Sequence, residues 1–457
     1  MGKTNDTAFS LWRAFQLTLP RATTGWLFAI LQNNFNRVSI VEMGIAAVTI
    51  TTMIGLFHFL SPFQVVFGHL SDRYPIFGYR RSPFILAGIT LSGVAVSVLP
   101  DIGLLISQDV TWAYFAGLGA MALFGVGFAM SGVTHLALVA DVAPAKYRGP
   151  VIASIWVMLL VGMITSLAFI RWYMPDYDFD TMQELYALSI PIVFVLTLVG
   201  LLGTEKRVTK QEAAELRVEA DRKTQAEKQS SPKFIEFLRG AFSNASTRNF
   251  FLLIFVTTLG VGLQDTILEV FGANVLGMSV GETGLFEQVL RGGALVGMIV
   301  MGVMSYKWGI SKTKSIVYGA YGYAFFICVI AYAGIITNKD LVIYSLALAG
   351  LSQGFYIVGV LTTMMEMTTD HERGSYMGVW GLALTLGNGF SAIAAGAMVT
   401  TLIESQLLGQ AQGYAVIFVL EALILIFGIS FIYKVDSSRF SRIGKTQLTG
   451  ALEADVS

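Results

Sequence analysis

Twelve stretches of roughly 20 apolar residues run through this chain, the length a helix needs to cross ~30 Å of hydrocarbon. They fall near 22–44, 47–70, 82–105, 112–138, 149–172 and 183–203, and again near 248–272, 283–306, 314–336, 341–366, 375–402 and 413–434. With 54% hydrophobic and only 13% charged residues over 457 positions, no single water-soluble core absorbs so much apolar surface. The chain therefore reads as an all-α membrane protein of twelve transmembrane helices in two six-helix bundles. The expected organisation is a cytoplasmic N-terminus (1–21), a first bundle (22–203), a cytoplasmic linker (204–247), a second bundle (248–434) and a cytoplasmic tail (435–457). The linker is rich in Lys, Arg, Glu and Gln, and its middle is expected to form a solvated amphipathic helix whose basic residues lie at anionic headgroups.

Charge placement supplies the orientation. All but four of the 30 Lys and Arg fall in the N-terminus, the loops after even-numbered spans and the C-terminus. Arg171 and Lys339 lie in opposite-side loops, and Arg37 and Arg291 lie within spans. By the positive-inside rule both termini are expected to be cytoplasmic. The polar start, Met1 to Ser10, carries no cleavable signal pattern. The single cysteine, Cys328, sits in an apolar run, which leaves neither a disulfide framework nor a thiolate metal site.

The second half echoes the first. Gly68-His69-Leu70-Ser71-Asp72-Arg73 follows the second span and Gly302-Val303-Met304-Ser305-Tyr306-Lys307 the eighth. Asp141 precedes Arg148-Gly149 by seven residues after the fourth span, and Glu366 precedes Arg373-Gly374 by seven after the tenth. Two parallel six-helix halves are the pattern of the major facilitator superfamily, with the solute path at the interface of the halves. The Gly-x-x-Ser-Asp-Arg element followed by Gly78-Tyr79-Arg80-Arg81 resembles that superfamily's loop signature. In this setting Asp72 is expected to cap a neighbouring helix N-terminus and to pair with Arg148. Asp72, Arg73, Arg80, Arg81, Asp141, Arg148, Glu366 and Arg373 then form either a cytoplasmic gate or a static clamp.

Four phrases narrow the resemblance. Asn36-Arg37-Val38-x-Ile40-Val41-Glu42-x-Gly44, Gly78-Tyr79-Arg80-Arg81-x-Pro83-Phe84-Ile85, Gln264-Asp265-x-Ile267-Leu268-Glu269 and Met377-Gly378-x-Trp380-Gly381 occur in order. Together they resemble the PucC/LhaA-like bacteriochlorophyll delivery family of phototrophic bacteria, which has similar members in cyanobacteria. The resemblance implies a major facilitator fold and a role in assembling light-harvesting or photosystem complexes. It further implies binding or delivery of chlorophyll or bacteriochlorophyll, antenna or photosystem subunits as partners, and a bacterial inner membrane or a thylakoid or intracytoplasmic membrane as location. Val270 stands where the family pattern places proline.

Charges inside membrane spans are costly and mark functional sites. Arg37 and Asp265 occupy matching places in the first and seventh spans with opposite sign. One reading is a salt bridge between the halves; the others are contact with pigment or lipid headgroup, and proton coupling. Asp265 and Glu269 stand four apart and cannot both ionise cheaply, so a cation is expected beside them: Arg37 first, Arg291 second. A magnesium macrocycle needs one axial donor, preferably oxygen or imidazole. Pigment or substrate candidates are therefore Gln32, Asn33, Asn36, Arg37, Glu42, His58, Gln264, Asp265, Glu269, Gln288 and Arg291. His135 is weighed as a ligand against a packing role, and His69 and His371 as surface residues. The glycine pairs Gly125/Gly127 and Gly292/Gly293 are expected to serve helix packing.

No nucleotide loop, zinc motif, nucleophile triad or basic nucleic-acid patch is present in the sequence, so an enzymatic role and a required cofactor are not expected. The alternatives to pigment delivery are a proton-coupled secondary transporter of a lipophilic solute and a non-transporting scaffold for antenna assembly.

Overall fold

A backbone in hydrocarbon must satisfy its polar groups internally, and helices do so within one segment. The computed structural model describes residues 10–60, 63–209, 211–212, 214–215, 217–218, 242–367 and 373–435, and among them helices dominate. Ten are long and apolar enough to cross a membrane, and a bent pair, Ala47–Phe59 (α4) with Phe63–Arg73 (α5), makes an eleventh candidate. The first expected span begins earlier than its hydropathy suggests and is segmented. After a short helix Leu11–Gln16 (α1), Leu19–Phe28 (α2) passes through a π-helical stretch Ala29–Phe35 into Asn36–Val41 (α3). The second expected span is the pair α4/α5, bent by 43° instead of straight. Then follow Ser82–Ser97 (α6), Leu99–Ser107 (α7), Thr111–Val142 (α8), Ala145–Tyr173 (α9) and Phe179–Leu201 (α10). The second half holds Ala245–Leu276 (α11), Val280–Trp308 (α12), Lys312–Ile335 (α13), Lys339–Glu366 (α14), Arg373–Val399 (α15) and Gln410–Ile429 (α16).

The chain divides into two units. One comprises the residues up to Ser230 with Met278–Gln288; the other comprises Ser231–Gly277 and Val289 onward. Close helix crossings organise both, because small residues let backbones meet where lipid offers no hydrophobic drive. In the first unit α6 and α8 cross at Gly88 and Gly127, where a Cβ on either would stand 2.6 or 2.5 Å from the other's carbonyl oxygen. In the second unit α12 and α14 cross at Gly297 and Gly350, each facing a carbonyl oxygen at 2.1 Å. Gly127 and Gly293 thus serve packing as expected, whereas among the described residues nothing faces Gly292 within 4 Å. The first unit's core includes the ring cluster Phe28, Phe57, Phe124 and Phe128.

The first described stretch of the linker, within 204–218, folds back on the first unit. Glu205 accepts hydrogen bonds from the backbone N–H groups of Arg80 (2.7 Å), Arg81 (2.9 Å) and Ser82 (2.8 Å), at the start of α6. The Val208 N–H donates to the Gly78 carbonyl at 2.8 Å, and the guanidinium groups of Arg207 and Arg217 sit over the rings of Tyr79 and Tyr74. Those two arginines therefore stack on aromatic rings of their own unit. The expected amphipathic middle of the linker lies outside the described residues.

Candidate functional site

The amide-rich segment of the first helix falls on its π-helical stretch. π-turns insert an extra residue per turn and recur at functional sites. Asn33, Asn34, Asn36 and Arg37 are all buried, and Gln32 is half-buried. The Tyr186 hydroxyl of α10 donates to Asn34 Oδ1 at 2.9 Å. The Oδ1 of Asn33 and the Nδ2 of Asn34 are buried and have no hydrogen-bond partner among the described residues. A buried, unmet carbonyl oxygen is unusual, since burying a polar group without a partner is costly.

Arg37 finds its counter-charge nearby. Its Nη1 lies 2.7 Å from Glu42 Oε1, and its Nη2 donates to the Met278 carbonyl at 3.0 Å, all within the first unit. Beside this pair, burial together with the charges of Glu42 and Asp178 raises the Tyr177 hydroxyl above its ordinary pKa. Asp178 caps α10, accepting from the Thr181 hydroxyl at 2.6 Å and the Thr181 N–H at 2.9 Å, and these bonds hold its carboxyl below the usual range.

In the second unit, Asp265 of α11 takes a different partner. Its Oδ2 lies 3.0 Å from Arg291 Nη2 on α12. Arg37 and Asp265 each meet a counter-charge inside their own unit, and Arg291, the second of the two cations expected beside Asp265, is the one seen there. Gln264 is fully buried: its Oε1 accepts from the Tyr323 hydroxyl of α13 at 2.7 Å, and its Nε2 has no partner among the described residues. Glu269 is buried on the same helix. Sequence reasoning passed over Glu421, a fully buried carboxyl on α16. The available signal was a lone acid in the most apolar of the ten spans, with mean hydropathy 2.8. Gln353 of α14, with Oε1 3.5 Å from Arg291 Nη1, was also passed over.

The remaining candidates separate. His58 is half-buried with its ring centroid 3.9 Å from that of Phe57. His135 Nε2–H donates to the Leu17 carbonyl at 2.7 Å, which favours its packing role. Gln288 has a buried Nε2 without a partner among the described residues. His69 is exposed, and His371 lies outside the described residues.

The charge cluster at the α5/α6 end centres on Arg81. It meets Asp72 Oδ1 through Nη2 (2.5 Å), Asp141 Oδ2 through Nε (3.2 Å) and the Ser71 hydroxyl through Nη1 (2.5 Å). Arg80 reaches the same Asp72 oxygen at 3.0 Å, and Arg73 lies over the ring of Tyr74. Asp72 is therefore an acceptor for two guanidinium groups, while the cap of α6 is supplied by Glu205, which sequence reasoning did not single out. The side chains of Arg148 and Arg373 lie outside the described residues. Glu366, at the end of α14, is ion-paired with Lys312 at the start of α13. The repeat thus extends to geometry: in each unit the acid ending the fourth long segment meets the base opening the third.

Helices of this length, arranged in two such units, define an integral membrane protein of the major facilitator fold. The likeness to a bacterial homologue of the lysosomal transporter Spinster has a TM-score of 0.67, covering 94% of this chain and 97% of that one at 13% identity. The family model described as PUCC protein matches residues 34–440, so the chain belongs to the PucC family. Relatives include a Rhodobacter capsulatus protein named for the puhA-bchM intergenic region, 28% identical over 89% of this chain and 85% of that one. Protein PucC of Cereibacter sphaeroides is 26% identical over 90% and 89%. A Rhodobacter capsulatus protein named as the bacteriochlorophyll synthase 44.5 kDa chain is 23% identical over 90% and 92%.

Proposed function

We propose that this protein binds (bacterio)chlorophyll and hands it to light-harvesting or photosystem subunits during their assembly in a photosynthetic membrane. The observation that carries the reading is the unmet Oδ1 of Asn33, buried on a π-turn among further amides. Chlorophyll brings its own magnesium, a hard ion that takes neutral oxygen donors, so a single positioned carbonyl oxygen suffices as axial ligand. Tyr186 orients the neighbouring Asn34, and Gln32 and Asn36 supply further amides for ring substituents. Membership of the PucC family and the bacteriochlorophyll-related name of a relative support the pigment class. On this reading the chain holds and releases a ligand and catalyses no reaction.

The test is to purify the protein from a phototrophic host and record its absorption spectrum. Near-stoichiometric pigment in the wild type, reduced about tenfold in Asn33→Leu, is the expected result. Colourless wild-type protein that still co-purifies with antenna subunits overturns delivery in favour of a scaffold.

Two acids within the spans of the second unit favour a second reading, proton-coupled movement of a lipophilic solute. Asp265, held by Arg291, and Glu421 are its proton-carrying candidates. Flux in vesicles that loses its pH dependence in Asp265→Asn or Glu421→Gln supports it; unchanged antenna assembly in both variants removes these acids from any essential role.

A further inference from the structure

Arg21 is the cation for which neither the fold nor the pigment site has a use. By hydropathy it belongs before the first span, yet it lies inside α2 and is only 6% exposed. Arginine keeps its charge at any physiological pH, so burial does not remove the problem by deprotonation. Among the described residues no carboxylate pairs with it, and its Nε has no hydrogen-bond partner. Among the described residues its charge-stabilising contact is the ring of Trp156 on α9, whose centroid lies 5.0 Å from the guanidinium carbon. Its neighbour His135 already commits Nε2–H to the Leu17 carbonyl. The contrast with the other buried arginines is direct: Arg37 has Glu42, and Arg81 has Asp72 and Asp141.

The surroundings are shaped for a ligand with an apolar body. Trp156 is 46% exposed, so the cation–π pair reaches the surface of the unit. On the facing helix α8, a Cβ added at Gly132 would stand 3.6 Å from Arg21 Nη1, so the glycine leaves that edge of the guanidinium uncovered. One turn further along α2, Thr24 borders a narrow cleft walled by Leu27, Ile89, Phe124 and Phe128. The hydroxyls at its edge are already satisfied, Thr24 by the Pro20 carbonyl at 3.0 Å and Ser131 by the Phe128 carbonyl at 3.2 Å. The cleft therefore asks for apolar groups, and the guanidinium beside it asks for an anion.

We propose that Arg21, stacked on Trp156, holds the single carboxylate or phosphate of an amphipathic anion whose apolar part lies against the narrow cleft between α2, α6 and α8. The site lies within the first unit and stands independently of the pigment reading. Arginine suits the task because its planar fork pairs with two oxygens of either group while its face stays on the indole.

The experiment uses the full chain in phosphatidylcholine nanodiscs and reads tryptophan quenching, which a bromine atom produces only at close range. The probes are a brominated fatty acid, a brominated fatty alcohol of the same length, dibrominated phosphatidylglycerol and dibrominated phosphatidylcholine. Saturable quenching by the acid or by phosphatidylglycerol is expected, with the alcohol and phosphatidylcholine at least tenfold weaker; which anion wins separates a free carboxylate from a lipid phosphate. That component disappears in Trp156→Phe. Its half-saturation rises at least tenfold in Arg21→Gln and less in Arg21→Lys, which keeps the charge but loses the fork. The proposal is overturned if acid and alcohol, and likewise the two lipids, quench wild type equally, or if no quenching depends on Trp156. Equal half-saturation in Arg21→Gln and wild type also overturns it. The acid-against-alcohol comparison needs no variant, so poor folding of an Arg21 substitution does not shelter the idea.

Discussion

In the first unit the buried guanidinium of Arg37 is met by Glu42, five residues along the same chain segment, and by a backbone carbonyl. In the second unit the carboxylate at the matching place, Asp265, is met by Arg291 from the next helix. The repeat reproduces the position of a charged residue but not the way it is neutralised. A partner at the end of the same helix can be half in contact with solvent, and the Glu42 side chain is 30% exposed. A partner on another helix requires two helices to stay in register, so the second pair ties α11 to α12, whereas Arg37 finds its counter-charge within its own segment and reaches beyond it only to the Met278 carbonyl. The amides follow the same division: those beside Arg37 include an unmet carbonyl oxygen, whereas the Gln264 carbonyl beside Asp265 is engaged by Tyr323.

Charge reversal breaks this comparison most severely. Asp265→Arg sets two guanidinium groups against each other across α11 and α12 and is expected to cost about 3 kcal/mol or more. Thermal unfolding in detergent checks it, and Arg291→Asp, not Arg37→Asp, is expected to restore much of the loss. Rescue by Arg37→Asp would return the pairing to the two matched helices. Next in size is Arg37→Ala, expected to cost about 2 kcal/mol because the charge-assisted bond to Glu42 and the bond to the Met278 carbonyl are both lost. The exchange Arg37→Glu with Glu42→Arg should recover part of that, measured in the same assay.

The paired clusters at the helix ends sharpen the same contrast at lower amplitude. Lys312→Ala removes the partner of Glu366, which is half-exposed, and is expected to cost no more than about 1 kcal/mol and to matter less in high salt. Arg81→Ala should cost more, since a side chain 7% exposed there holds two acids and a hydroxyl. The smallest effect is at Asp178. Its folded-state pKa is lowered by the bonds from Thr181, so its contribution is present above the ordinary carboxylate range and is lost as pH falls through the lowered value. Asp178→Asn should flatten the acid limb of the stability curve without altering stability at neutral pH by more than the cap itself contributes.

Much of this architecture is legible in the residues alone, because hydrocarbon thickness imposes span length and a duplicated chain repeats its phrases. The apolar runs, the two halves, the Gly68-to-Arg73 element and the family resemblance rest on local patterns of that kind. The segmented first helix is not legible: hydropathy counts apolar side chains and is blind to whether a turn closes between residues four or five positions apart. Glu205 is likewise invisible as a cap, since it acts on the start of α6 more than a hundred positions away. Glu421 left a trace, a lone acid in a very apolar run, that only its burial made meaningful.

The amino-acid order, then, dictates that this chain enters a membrane as a repeated helical bundle and belongs with the PucC proteins, because span length, periodicity and motif spacing are properties of neighbouring residues. Which charges meet and, among the described residues, which amide stays unmet and that Arg21 is buried without an acid were decided by helix crossings. These bring together residues far apart in the chain, and no local pattern specifies the last few ångströms of approach.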